Sequence, residues 1–397
     1  MQEKGLPQKA VLTELQSKLQ EDHTHNSGKI LGSMCNAPHT FAKQVYIKCL
    51  EKNLGDPGLF PATARLEREA IHMLGSLLSN PTAGGHIVSG GTEANILAMW
   101  VARNSNKKRN EVIVPVSAHI SFDKAADLLN LKLIRVKLNS MFQIDVTTTK
   151  EAITSKTVAI VGIAGTTELG VVDPIAELSE IAVDHDLYLH VDAAFGGFVL
   201  PFLKIIGPSV PEFDFGLPGV RSITMDPHKM GLAPIPAGGI LFREEATMNL
   251  IGKRVPYLAG GATEHTTLLG TRSGASTVAV WTLLKHLGKE GYTTVVKNCM
   301  RLTRKLAEGV QRISGVNLVI PPTMNIVGIK SDMVKIELIA QELRNKGWAI
   351  SLFLNHIRIV VMPHVKLLHI ETFLNDLEMV MDKLDKGRRL SLDSSSF

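Results

Sequence analysis

Lys229 closes the run Ser222-Ile223-Thr224-Met225-Asp226-Pro227-His228-Lys229, and it stands 37 residues after Asp192 of His190-Val191-Asp192. A lysine amine can hold an aldehyde as a Schiff base, and a carboxylate can keep an aromatic ring nitrogen protonated so that the ring accepts electrons. Together they are the pair that pyridoxal 5′-phosphate (PLP) chemistry requires. Taken singly, an aspartate at a strand end is usually a turn or cap residue, and a lysine is usually a solvated charge. Both residues here follow apolar runs, at the carboxyl ends where open α/β sheets bind ligands, and that placement favours the functional reading.

Other segments offer matching chemistry. Ser89-Gly90-Gly91-Thr92 lies between a short strand and a helix, where glycines let the backbone approach an anion and Thr92 adds a hydroxyl. Taken alone it could equally be a capping turn; beside the Lys/Asp pair, a phosphate cradle is the better reading. His119 directly follows a strand and could stack on a pyridine ring, although a lone histidine there is more often structural. Thr167, in Gly165-Thr166-Thr167-Glu168-Leu169-Gly170, could donate to a phenolate oxygen while the same residues form a turn with Gly170 at positive φ. Thr271, among the hydroxyls and glycines of residues 267–274, could reach a phosphate, including that of a neighbouring subunit. Arg358 sits inside the apolar strand 357–362, where an arginine is costly unless it meets an anion. A substrate α-carboxylate and an internal salt bridge both remain open for it.

These residues need a sheet to bring them together. Short β-rich runs at 86–89, 111–116, 132–138, 157–163, 187–192, 221–225 and 239–242 alternate with helical segments starting near Thr92, Phe122, Thr148 and Ile175. That pattern predicts an α/β fold with a mostly parallel, doubly wound sheet in a large domain. Past Gly274, helical stretches at 277–287 and 292–313 lead to strands at 316–320, 326–330 and 357–362, with helices at 334–346 and 370–384, a smaller C-terminal α/β domain. The expected division is an N-terminal helix and substrate-loop segment at 1–60, a large PLP-binding domain at 61–274, hinged near Gly270 to Gly274, and a small domain at 275–397. Val11, Leu12, Leu15 and Leu19 put one apolar face on an opening helix, and the tail from Lys386 reads as frayed.

Hydrophobic residues make up 45% and charged residues 20% of the 397, a soluble-enzyme profile. The formal net charge is +5 with no basic stripe, which gives no reason to expect a nucleic-acid partner. No apolar run approaches membrane-spanning length, so no membrane partner is expected, and the absence of a signal-like N-terminus points to the cytoplasm. Cys35, Cys49 and Cys299 are widely spaced, and His23 and His25 lack a third donor, so neither a disulfide framework nor a metal site is expected.

The pieces SGGTEAN, the His119 segment, GTTELG, HVDAAFGG, SITMDPHK and GTRSGA resemble, in order and spacing, the group II PLP-dependent amino-acid decarboxylases of fold type I (the PLP-dependent transferase-like fold). The chain looks closest to the archaeal L-tyrosine/L-aspartate decarboxylase branch. The resemblance implies PLP as cofactor, with Lys229 as the Schiff-base lysine, Asp192 as pyridinium partner, His119 as stacking residue and Gly91 with Thr92 as phosphate loop. It further implies Ala194 under the ring, His228 at the phosphate and Arg358 on the substrate α-carboxylate. The substrate it implies is an amino acid: L-tyrosine first, giving tyramine for methanofuran, then L-aspartate, giving β-alanine for coenzyme A. A homodimer is expected on other grounds, because the Gly270-Thr271 segment could complete a neighbour's phosphate site and the opening amphipathic helix needs a surface to cover. Asn36, His39 and residues 53–60 could supply a polar contact suited to a phenol; an aspartate site would want a second cation, with Lys29 and Lys43 near in sequence. Asp226 departs from the Asn that glutamate and aromatic-amino-acid decarboxylases usually carry there, and similar Asp-x-His-Lys strings occur in sphingosine-phosphate lyases. A PLP-dependent aldehyde lyase is therefore the rival enzyme, and a non-catalytic PLP-binding protein the rival of another class.

Overall fold

The computed structural model describes residues 1–207 and 210–394, with side chains to residue 387. Its helices are α1 (Gln8–Lys18), α2 (Thr40–Lys48), α3 (Pro61–Leu77), α4 (Gly91–Ser105), α5 (Ser121–Leu129), α6 (Val146–Glu151), α7 (Ile175–Asp184), α8 (Leu200–Ile206), α9 (Gly274–Arg312), α10 (Ile336–Asn345) and α11 (Leu367–Ser394). Strands β1 (Gly84–Val88), β2 (Glu111–Pro115), β3 (Lys132–Val136), β4 (Thr157–Ile163), β5 (Tyr188–Asp192), β6 (Val220–Met225) and β7 (Gly238–Phe242) form one sheet in the order β1-β7-β6-β5-β4-β2-β3. From β3 to β6 every neighbouring pair is parallel, whereas β7 runs antiparallel to both β6 and β1. The carboxyl ends of β2, β4, β5 and β6 therefore share one edge.

Period-2 alternation divides the strand side chains between two cores. Val112 and Val114 pack with Ala94, Leu97, Ala98 and Val101 of α4 and Phe122 of α5, while Ile113 joins Ile71 and Leu74 of α3 and Ile175 and Leu178 of α7 on the other face. This is the expected doubly wound α/β arrangement. The two-stranded ribbon β8 (Lys253–Val255) and β9 (Thr263–His265) stands apart from a second, antiparallel sheet. That sheet joins β10 (Asn317–Leu318), β11 (Ile326–Lys330), β12 (Ser351–Leu352) and β13 (Ile357–Val360) in the order β10-β11-β13-β12. Its core gathers Leu306 and Val310 of α9, Ile339 and Leu343 of α10, and Phe373 and Leu377 of α11.

Helix α9 is broken at Gly288 (φ 56°, ψ −168°), within the gap left between the two helical stretches read from sequence. The structure adds α2, α3, α8, β12 and the β8/β9 ribbon, which periodicity alone did not reveal. It also corrects the tail, since α11 continues to Ser394; residues 395–397 of that tail lie outside the described residues. Helix α1 forms as expected yet buries nothing against its own chain: Val11, Leu12, Leu15 and Leu19 stay 47–51% exposed. Among the described residues no helix is long and apolar enough to cross a membrane.

One tie links the two halves of the molecule to the edge that matters chemically. Tyr292 of α9, 2% exposed and stacked on Phe202, donates its hydroxyl to the Gly231 carbonyl at 2.9 Å, two residues past Lys229. Tyr292→Phe should therefore cost about 1–3 kcal/mol by leaving a buried carbonyl unpaired, read as a lower denaturant midpoint. A midpoint matching the parent would mean that the Gly231 carbonyl finds another donor.

Candidate active site

The shared sheet edge opens on a cavity of about 310 Å³ lined by Lys229, Asp192, His119, Gly91, Thr92, Thr167, Ala194 and His228, together with Asn95, Ser117 and Asp226. Lys229 is carried by the loop between β6 and β7, whose backbone is pinned by Asp226 N–H to Ala194 O (3.1 Å) and His228 N–H to Ala237 O (3.1 Å). His228 Nδ1 accepts from the Ala237 N–H at 3.3 Å, which turns Nε2 toward Asp226. Burial lowers the His228 pKa despite the Asp226 carboxylate, so the ring enters the site neutral near pH 7.

Asp192 ends β5, with Oδ1 accepting from the Ala194 N–H (3.0 Å) and Oδ2 from Asn95 Nδ2 (2.9 Å). The same Asn95 amide nitrogen donates to Ser121 Oγ at 2.9 Å. With both of its N–H groups committed, Asn95 turns Oδ1 to Thr224 Oγ1 (2.7 Å) and His190 Nε2 (3.0 Å), while His190 Nδ1 meets Ser222 Oγ at 2.8 Å. His190 must therefore be the neutral Nε2–H tautomer. Burial agrees, pushing its pKa down to about 4 against the pull of Asp192.

The network ends on His119. Its Nδ1 accepts from the Ser121 backbone N–H at 3.2 Å and stands 3.0 Å from Ser121 Oγ, so the neutral ring carries its proton on Nε2. Burial lowers the His119 pKa more than Asp192 raises it.

The site accepts a phosphorylated ring by shape as well as by chemistry. A Cβ built on Gly91 would stand 2.8 Å from Asp226 Oδ2, and one on Gly90 would stand 3.1 Å from His228 Cε1, so bare backbone is required at the start of α4. The first N–H groups of a helix have no intrahelical acceptor and suit an anion. Ser117 Oγ and Asp226 Oδ1 are buried in this cavity wall without partners. Amine, carboxylate, imidazole and a helix N-terminus all line one space, so the residues fit PLP.

Three of the expected site residues lie elsewhere. Thr271 lines a separate cavity with Ser89 and Arg272. Asn36 is buried with its amide 2.9 Å from His364 Nδ1, and it does not line the site. Arg358 is set behind Thr167: Nη1 donates to the Thr167 carbonyl (2.7 Å), and Nη2 to the Gly32 carbonyl (2.5 Å) and Ser351 Oγ (2.9 Å). Its Nε is buried and unpaired, and burial lowers its pKa to about 10 although Glu168 opposes the shift. Gly170 does take positive φ (68°), so the turn reading holds beside Thr167's position in the cavity. Asn95, quoted above only as a letter within a motif, and His190, named only as a neighbour of Asp192, are site residues that sequence reasoning did not single out; Asp226 was noted only as a departure from the family pattern.

Known proteins bear on this geometry. Residues 9–331 match the model of the pyridoxal-dependent decarboxylase conserved domain. The chain is 51% identical over 383 residues to an L-aspartate decarboxylase of Thermococcus kodakarensis, covering 96% of this chain and 99% of that protein. It is 50% identical over 358 residues to a probable L-tyrosine/L-aspartate decarboxylase of Methanothermobacter thermautotrophicus, covering 89% of this chain and 98% of the other. Among solved structures, a sphingosine-1-phosphate lyase of Burkholderia pseudomallei superposes with a TM-score of 0.90 at 28% identity, over 100% of this chain and 95% of that one.

The Asn95 network generates a stability prediction with a defined sign. The fold keeps His190 neutral down to about pH 4, whereas the unfolded chain protonates it near 6.5. Between those values the unfolded state binds more protons, so stability is complete above about pH 6.5 and is lost as pH falls toward 4. Denaturant titrations from pH 7 to 4 should therefore show less loss in His190→Gln than in the parent, by about 3 kcal/mol at most. An identical pH slope would remove His190 from the account. Asn95→Leu should cost about 2–4 kcal/mol at any pH, because Asp192, Thr224 and His190 each lose a partner.

Proposed function

The chain belongs to the pyridoxal-dependent decarboxylase family, and from that premise we propose that it removes the α-carboxylate of L-aspartate to give β-alanine. The observation that carries this reading is the single cavity uniting Lys229, Asp192 and His119 with the N-terminus of α4. PLP, when bound, supplies an aldehyde that joins amines and a ring that accepts the electron pair left as CO₂ departs.

The chain's own residues would do the rest. Lys229 holds the cofactor and yields to the substrate amine. Asp192, kept in place by Asn95 and the Ala194 N–H, holds the proton on the ring nitrogen. His119 and Ala194, which line the cavity, would hold the ring, and Thr167 would serve the phenolate oxygen. Gly91, Thr92 and His228 bind the phosphate. Arg358, whose Nε is buried without an acceptor, is the group proposed to take the substrate α-carboxylate. The bond from Cα to the carboxylate carbon breaks, and Cα takes up one proton in its place.

The ranking of substrates shifts from that expected on sequence alone. The polar groups that suited a phenol are engaged elsewhere, Asn36 with His364 and His39 as acceptor for the Phe41 N–H, and neither lines the cavity. The relative from Thermococcus kodakarensis is named for L-aspartate, so aspartate comes first. L-Tyrosine remains the second reading, favoured by the name of the Methanothermobacter thermautotrophicus relative. The aldehyde-lyase rival loses ground, because 51% identity to a decarboxylase exceeds 28% to a lyase, and Lys229 is the only Lys or Arg among the cavity-lining residues described.

We further propose a cytoplasmic homodimer. Helix α1 leaves its apolar face uncovered within the chain, and Thr271 lies outside its own chain's cavity, where it can serve a neighbour's phosphate.

Purified protein with PLP should release CO₂ and β-alanine from L-aspartate with kcat/KM above that for L-tyrosine; the reverse order would restore the phenol reading. Lys229→Ala should lose both turnover and the visible cofactor band. Asp192→Asn should lower kcat at least about tenfold, or 1.4 kcal/mol. Arg358→Gln should raise KM, and a fall in melting temperature with KM unchanged would make it purely a structural tie. Sedimentation of a fully active monomer would refute the dimer.

A further inference from the structure

One charged residue in the cavity has no part in the chemistry just described. Asp226, 1% exposed, sets Oδ2 3.1 Å from Lys229 Nζ and 3.7 Å from His228 Nε2, while its Oδ1 is buried without a partner. A carboxylate with one bare oxygen inside a protein is stable only if its charge is matched closely. Lys229 is the only Lys or Arg among the described cavity-lining residues, and the pair is locked from both sides. The Asp226 N–H is held by the Ala194 carbonyl, and the carboxylate abuts Gly91, so it has little room to turn away.

The groups that act on Lys229 come from several elements. Asp226 and His228 belong to its own loop, Asp192 ends β5, His119 follows β2, and Cys35 approaches from the N-terminal segment. Burial on its own would lower the lysine pKa, but Asp226, followed by Asp192, overrides it and leaves Lys229 above the ordinary lysine value. The two histidines are held toward their neutral forms by burial, so neither repels the ammonium strongly near neutral pH.

We propose that Asp226 is a positioning residue that docks Lys229 as an ammonium whenever the lysine is not joined to an aldehyde, and that it thereby limits how fast the protein captures its cofactor. The inference rests on the reading of Lys229 as the aldehyde-condensing amine. Condensation needs the neutral amine: the ammonium first gives one proton to solvent, then the Lys229 nitrogen adds to the aldehyde carbon, and one water leaves as the C=N bond forms. Each pH unit by which Asp226 raises the lysine's titration costs tenfold in the neutral fraction. An asparagine at position 226 would keep the shape and a hydrogen-bond acceptor but remove the charge. It should make capture faster.

The test uses the full chain freed of cofactor, mixed with PLP or, separately, with pyridoxal, which lacks the phosphate. Samples at pH 6–9 are quenched with borohydride, and the rate of labelling at Lys229 is read by peptide mass. In the parent the rate should climb about tenfold per pH unit with no plateau. Asp226→Asn should label at least tenfold faster than the parent at pH 7 with both aldehydes, and Asp226→Glu should stay near the parent. Equal rates in parent and Asp226→Asn would overturn the inference, as would a gain seen with PLP alone, which would assign Asp226 to the phosphate instead. If Asp226→Asn does not fold, Asp226→Ser takes its place and is read in the same way: labelling at pH 7 no faster than in the parent overturns the inference. Absence of label at Lys229 in every protein would instead bring down the underlying reading of the lysine.

Discussion

The side-chain amide of Asn95 is the hinge of the site's chemistry. One buried group, 1% exposed, donates to Asp192 and to Ser121 and accepts from Thr224 and His190, so four side chains on three elements are fixed by a single planar unit. A buried polar network of this kind is stabilising only when every member is satisfied, and its low-dielectric setting strengthens each bond. Asp192 is thereby oriented by neutral amide donors, and His119 receives its tautomer at second hand, through Ser121. The α4 helix that contributes Asn95 also begins at Gly91 and Thr92, so the residues proposed as ring partner and as phosphate cradle are set by one rigid body.

Much of this was legible in the chain. Lys229, Asp192, His119, Gly91 and Thr92 could be read because each follows a strand or starts a helix, and a parallel sheet brings such positions to one edge whatever their distance in sequence. The Asn95 contacts were not legible. They depend on α4 crossing β5 and β6 at a particular height and on the register shift between Leu189 and His190 that sets His190 opposite Ser222. Spacing carries no information about either. Arg358 stood out in sequence as an arginine inside an apolar strand, but its acceptors at Thr167, Gly32 and Ser351 leave no mark there. Asn36 failed as a cavity residue for a similar reason, since its partner His364 is 328 residues away.

The cavity's glycines illustrate the same division between local and distant cause. Gly90 and Gly91 suggested an anion loop, because glycines let the backbone approach an anion closely. The structure gives a stricter one: Gly238 of β7 is pressed so close to Gly90 that a Cβ on it would lie 2.4 Å from the Gly90 Cα. Gly238 is thus needed for β7 to meet the turn between β1 and α4, while Gly91 leaves room for Asp226 and Ala194. What looked like a ligand motif is also a packing motif.

Arg358 has a consequence for the order in which the molecule assembles. Its acceptors are 191, 326 and 7 residues away in the chain, at Thr167, Gly32 and Ser351. A guanidinium withdrawn from water before those groups arrive bears an uncompensated desolvation penalty, and closing loops of that length is slow in entropy terms. Strand β13 therefore gains its full stability only after both the N-terminal segment and the turn after β4 are in position. The arginine acts as a checkpoint on assembly: it makes the last sheet's completion conditional on the correct arrival of segments formed at the opposite end of the chain.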